Sequence, residues 1–171
     1  MHLVLQGHCK WLLKQYFSEN VSKKTSYHLG NSIVLINKIL SKTKLPHNFN
    51  RKIHNISDNK QWKSTQYKTF LFYIMIPTLM HILPDSYFYL LASYILAIRL
   101  LYEPVKNSED IGLADLLLKK YFLELKKYYG DFAYDYTIHA HLHLPEQVRK
   151  HGPLHSHSQF VFEVNILKLF Q

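Results

Sequence analysis

Residues 67–102 read YKTFLFYIMIPTLMHILPDSYFYLLASYILAIRLLY, and their pattern decides the fold class. Tyr67 to Leu83 is apolar nearly all round, as is Tyr87 to Tyr102, and a Leu-Pro-Asp-Ser turn at residues 83–86 parts the two runs. Proline cannot continue a helix and Asp85 or Ser86 can cap the next one, so the stretch predicts two core helices packed as a hairpin. Each run is shorter than the roughly 20 residues that a membrane span needs. Pro77 and His81 interrupt the first run and Arg99 the second, so no membrane partner is expected.

Outward from that hairpin the spacing stays helical. Leu5, Cys9, Leu12, Leu13, Tyr16 and Phe17 recur at three and four residues, as do Ile33, Ile36 and Leu40 before Pro46. Ser18 to Ser32 reads as a polar loop, and Leu45 to Gln61 as a basic, Asn-rich one. Pro104 opens a further loop through Gly112, after which Leu113, Leu117, Tyr121, Leu125 and Tyr128 fall on one helical face that Gly130 ends. Five glycines and six prolines are too few for a turn-rich all-β chain. The expected fold class is mainly α, in a single domain over 1–171: N-terminal helices in 1–45, a basic lead and apolar hairpin in 46–104, and a helix with a His-rich segment in 105–171.

Composition narrows the chemistry. Hydrophobic residues make up 47% of the chain, with ten Phe and thirteen Tyr, which is too apolar and aromatic for a disordered protein. The lone cysteine, Cys9, rules out an intramolecular disulfide framework and a Cys-based zinc site. No signal peptide is expected, because Gln6, His8 and Lys10 interrupt the apolar start. The net charge of +9 is concentrated early: residues 1–68 carry twelve Lys and Arg against Glu19 and Asp58. That imbalance suits attraction to nucleic-acid phosphates, and a solvated lysine-rich surface fits it equally.

Three further constellations bear on function. His139, His141 and His143 alternate, and His151, His155 and His157 follow. On an extended chain the first three share a face and form a candidate zinc site; on a helix they disperse, and their spacing matches no established zinc pattern. Hydrolase signatures (a Gly-rich phosphate loop, a GxSxG elbow, HExxH) are absent. Cys9 with a distant histidine is compatible with a nucleophile pair, and the pairs Glu109/Asp110 and Asp131/Asp135 read as solvated acids.

Three blocks in order carry a family resemblance. MHLVLQGHCKWLLKQYF (1–17) resembles the segment of CACTA (En/Spm-like) DNA transposases in which an Asp-x-x-His element opens a Met-His-x-Val-Leu-x-Gly helix. Residues 45–104 are similar to that family's central block, with Trp62, Lys63, Gln66 and Lys68 where a Trp-Lys-x-x-Glu-x-Arg element is usual. YDYTIHAHLHLPEQVRKHGPLHSHSQFVFEVN (134–165) is similar to its histidine, Gly-Pro-Leu and Phe-x-Phe-Glu blocks.

The resemblance implies a DDE-type enzyme, whose RNase H-like sheet holds two Mg²⁺ or Mn²⁺ ions between two Asp and one Glu for in-line attack on phosphorus. It puts Glu163 at the third-acid position and the second Asp two residues before Met1. The expectation is therefore a helical, bundle-like insertion domain with an incomplete remnant of the RNase H-like core. One carboxylate cannot position two ions, so no catalysis and no cofactor are expected in isolation. Without partner acids, Glu163 reads as a solvent-facing residue and His2 as functionally silent. Arg51, Lys52, Lys60, Lys63 and Lys68 are the expected DNA contacts, non-specific and salt-dependent. Trp62, between them, reads as a packing staple in preference to a base-stacking platform. Assembly with an intact transposase is the other partnership the resemblance suggests, and a retained DNA role implies a nuclear location. The alternative function is a His-rich zinc-binding or interaction module.

Overall fold

The computed structural model describes residues 1–46, 49, 51–104, 107–130 and 136–156. Among the described residues every regular element is helical, as the spacing predicts, and no strand occurs. The Phe160–Val164 run and Glu163, on which the RNase H-like remnant rests, lie outside them. No described helix is long and apolar enough to cross a membrane. The chain forms two compact units, Leu5–Leu91 and the described parts of Met1–Val4 with Ala92–Gln171.

In the first unit, which holds all but the first two residues of a π-helical segment (Leu3–Cys9), that segment leads into α1 (Lys10–Phe17), and a short 3₁₀ turn (Gly30–Ser32) leads into α2 (Ile33–Lys42). A second 3₁₀ turn (Ile56–Gln61), inside what reads as loop, precedes α3 (Ser64–Thr69). A second π segment (Phe70–Ile74) then joins α3 to α4 (Met75–Leu79).

Both π segments have the same cause. The buried positions repeat every four residues: Leu5, Cys9 and Leu13 beside His8, Leu12 and Tyr16, then Tyr67, Leu71, Met75 and Leu79 beside Phe70, Ile74 and Thr78. An α-helix turns about 100° per residue, so four steps overshoot a full turn by about 40° and the stripe drifts round the helix. A wider i→i+5 turn rotates less per residue and cancels that drift. In the second case it also ends two residues short of Pro77, whose missing N–H would break an α ladder there. The Met75 N–H reaches back to the Phe70 carbonyl as such a turn requires.

The loop after α1 is pinned at one histidine. His28 donates through Nε2 to the Ser18 carbonyl (3.2 Å) and accepts the Gly30 N–H on Nδ1 (3.3 Å). Gly30 sits so close that a Cβ there would meet the His28 ring at 2.4 Å, so any other residue would push the ring out of this position.

The second unit holds most of α5 (Asp85–Tyr102), then α6 (Ser108–Tyr129), α7 (Tyr136–His141) and α8 (Leu144–His151). Helix α5 follows the Pro84 turn, and its first bond runs from Phe88 N–H to the Pro84 carbonyl. Asp85 is thus a first-turn residue, favourable to the helix dipole, and not the expected cap.

Two expectations for α6 are corrected. The helix starts at Ser108, within the expected loop, because the Asn107 side chain caps it by accepting the Asp110 N–H at 2.9 Å. Its buried stripe is Ile111, Ala114, Leu118, Tyr121, Phe122, Leu125 and Tyr129, whereas Leu113 is 45% exposed. The expected stripe took Leu117 from the Leu116-Leu117-Leu118 triplet; the structure takes Leu118, whose spacing to Ala114 and Tyr121 keeps every lysine outside. Gly130, at φ 87°, closes the helix as expected.

The Gly-Pro-Leu-His segment after α8 caps α5 from a distance. Leu154 N–H donates to the Leu101 carbonyl (2.8 Å), and His155 Nδ1–H donates to the Tyr102 carbonyl (2.8 Å). Two carbonyls that a helix end leaves without partners are thereby satisfied.

Candidate nucleic-acid interface

Residues 51–68 begin with a short extended run that is tied to α2 and α3 by side-chain amides. Asn37 Oδ1 on α2 accepts the Ile56 N–H (2.8 Å), which starts the 3₁₀ turn. The Asn59 carbonyl then accepts both the Tyr67 hydroxyl (2.5 Å) and the Trp62 N–H (3.1 Å), while Asn59 Nδ2 donates to the Ile56 carbonyl (2.7 Å). Gln66 does two jobs at the start of α3: its Oε1 accepts the Lys63 N–H (3.0 Å) and its Nε2 donates to the Lys52 carbonyl (3.0 Å). The first bond is one half of a capping box; the second fastens the basic lead to the helix. An amide carries both an acceptor and a donor, so Gln66 makes both bonds at once, which an ionised carboxylate could not.

On this frame Arg51, Lys52, Lys60 and Lys63 are exposed and Lys68 is half-buried. Among the described residues no ion pair involves Arg51, Lys52, Lys60 or Lys63. Asp58 is the one acid between residues 51 and 68, so the segment presents a local positive excess. These five residues lie on one folded segment, residues 51–68; in physiological salt exposed charges are screened beyond about 8 Å.

Trp62 packs inward. It is 6% exposed, edge-on to Tyr67 (5.6 Å between centroids) and to Phe70 (5.2 Å). Its ring anchors the basic segment to the core and offers no face to a nucleobase. Burial, with Cys9 nearby, pushes the Tyr67 hydroxyl up to about 12, which keeps it protonated as the donor to Asn59.

The other sequence candidates do not assemble. Burial pushes the Cys9 thiol up to about 12, so no thiolate is present at neutral pH and the nucleophile reading fails. His139 and His141 fall on α7 and His143 in the turn before α8; His141 is buried, and His139 and His143 are exposed with ring centroids 5.3 Å apart. His141 directs both nitrogens elsewhere: Nδ1 to the Thr137 carbonyl (2.7 Å) and Nε2 to the Tyr94 hydroxyl (3.1 Å). Among the described residues no three His, Cys, Asp or Glu side chains gather as metal ligands. His155 is taken up in capping α5, His151 is exposed on α8, and His157, Asp131, Asp135 and Glu163 lie outside the described residues.

Sequence reasoning missed Asn37, Asn59 and Gln66, which build the segment, and a neighbouring cleft of about 850 Å³. The Lys63-x-x-Gln66 spacing was the one available signal for the first group. No family model, curated protein sequence or solved structure matches the chain.

Proposed function

We propose that these residues are a helical, transposon-derived segment of a CACTA-like DDE transposase, inactive alone, that binds nucleic-acid phosphates without sequence preference. The origin rests on the three ordered sequence blocks. Inactivity is proposed of residues 1–171 taken alone: the resemblance assigns one acid among them, Glu163, and one carboxylate cannot hold two metal ions. The observation that carries the binding role is the exposure of four cations, Arg51, Lys52, Lys60 and Lys63, on a segment pinned by Gln66 and Asn59. A pinned backbone loses little conformational freedom when it meets a polyanion, whereas a loose loop would have to be ordered first.

Titration of a labelled duplex by anisotropy tests this. Affinity should fall by roughly 10²-fold or more between about 50 and about 200 mM salt if most of the five cations meet phosphates. Removing Lys60 and Lys63 together should lower the salt slope by about two. Binding that is indifferent to both salt and those substitutions would defeat the proposal. A Mg²⁺- or Mn²⁺-dependent nicking assay should be blank, and nicking that Glu163→Ala abolished would refute inactivity.

A further inference from the structure

Beside the basic segment, α2 and the residues after it form one wall of the cleft of about 850 Å³, and Ile53 to Asn55 with Ile74 form the other. Its volume lies in the range of pockets that enclose a nucleotide-sized ligand. Two lysines line it, Lys44 and Lys52, with the polar side chains of Ser41, Thr43 and Asn55. Leu40, Ile53 and Phe49 add apolar surface to the same lining. Phe49 is half-buried and meets Tyr73 edge to face, with centroids 5.3 Å apart and rings 84° to one another. Tyr73 is 49% exposed, although it lies within the otherwise buried π segment Phe70–Ile74. The four-residue repeat of that segment puts Phe70 and Ile74 in the core and leaves Tyr73 outside.

From a cleft lined by two lysines and by apolar residues, one of which, Phe49, packs on the partly exposed Tyr73, we infer that this is a binding site for single-stranded nucleic acid. The inference rests on the phosphate-binding reading above and names its substrate class. A duplex offers phosphates but keeps its bases stacked on one another, so an aromatic ring beside a cleft adds nothing to duplex binding. An unpaired base has a free π face, and stacking on an aromatic side chain strengthens single-strand binding with little regard to sequence. Lys44 and Lys52 lie in the cleft lining with Phe49, where the sugar–phosphate flanking such a base would run. Arg51 and Lys63 continue the positive charge along the chain beyond it.

The test compares a labelled oligothymidylate with a hairpin duplex of equal length, in anisotropy titrations at one low salt concentration. The single strand should bind the tighter. Tyr73→Ala should weaken the single strand about tenfold and leave the duplex unchanged, while Tyr73→Phe, which keeps the ring, should bind like the parent. Phe49→Ala should behave as Tyr73→Ala does. Lys119→Ala, in the other unit, serves as a charge control, and unchanged far-UV circular dichroism shows that each variant is folded. Equal binding of both oligonucleotides with no effect of Tyr73→Ala overturns the cleft and leaves the phosphate reading standing. Failure to bind either oligonucleotide overturns both.

Discussion

The Tyr94 hydroxyl donates a hydrogen bond to Nε2 of His141 at 3.1 Å in the core of the second unit. The direction follows from the other nitrogen: Nδ1 lies 2.7 Å from the Thr137 carbonyl, which can only accept, so Nδ1 carries the proton and Nε2 presents its lone pair. Tyr94 also packs on Tyr121, with centroids 4.8 Å apart, so the pair joins α5, α6 and α7.

This arrangement makes stability depend on pH. Burial lowers the His141 pKa to about 4, whereas an unfolded chain titrates near 6.5. Between those values the unfolded state binds a proton that the folded state refuses, so stability is full above about 6.5 and is lost as pH falls towards 4. The whole window is worth on the order of 3 kcal/mol for this one group. Urea unfolding at stepped pH should show the loss, and His141→Gln should flatten it. Tyr94→Phe should cost about 1–3 kcal/mol near neutrality, because it strands the Nε2 acceptor in the core. A parent protein as stable at about pH 4.5, near the lower end of the window, as at about pH 7, above it, would contradict the buried neutral imidazole.

How much of this was legible varies with the range of the interaction. The helices around Pro84 and Gly130 could be read because their signals are local, and the mainly α class followed from three- and four-residue spacing. His141 could not, because its partner lies 47 residues earlier, and its neighbours His139 on α7 and His143 in the turn after it are exposed while His141 is buried. The four-residue repeats were open to view in Leu5, Cys9 and Leu13, yet the same spacing fits an α-helix over two turns, so the π segments stayed hidden. The basic residues of the candidate interface were legible as charge. Their placement depends on Gln66 reaching the carbonyl of Lys52 across the 3₁₀ turn, which no local pattern encodes.

Gln66 gives the second prediction. Gln66→Glu restores the residue usual in the resembling family, but in this chain it removes the donor to the Lys52 carbonyl and sets a carboxylate against that oxygen. The bond from the Lys63 N–H survives, since a carboxylate accepts it. The expected cost is about 1 kcal/mol, read as a lower urea midpoint. Gln66→Ala loses both bonds and should cost about twice as much. If Gln66→Glu proves more stable than the parent, the tether to Lys52 does not hold the segment.

The register of α6 supplies the third, because two stripes compete for the same helix. A stripe through Leu113 and Leu117 and one through Ala114 and Leu118 differ by one residue, about 100° of rotation. Leu118 is 1% exposed while Leu113 is 45% exposed and Leu116 65% exposed, so only the second stripe faces the core. Leu118→Ala should therefore cost about 2–5 kcal/mol through the lost contacts and the cavity left behind. Leu113→Ala and Leu116→Ala should each stay within about 0.5 kcal/mol, since alanine keeps the helix and little buried area is given up. Chemical denaturation of the three variants separates the registers: a large cost at Leu113 with a small one at Leu118 would rotate the helix back to the stripe that the sequence alone suggests.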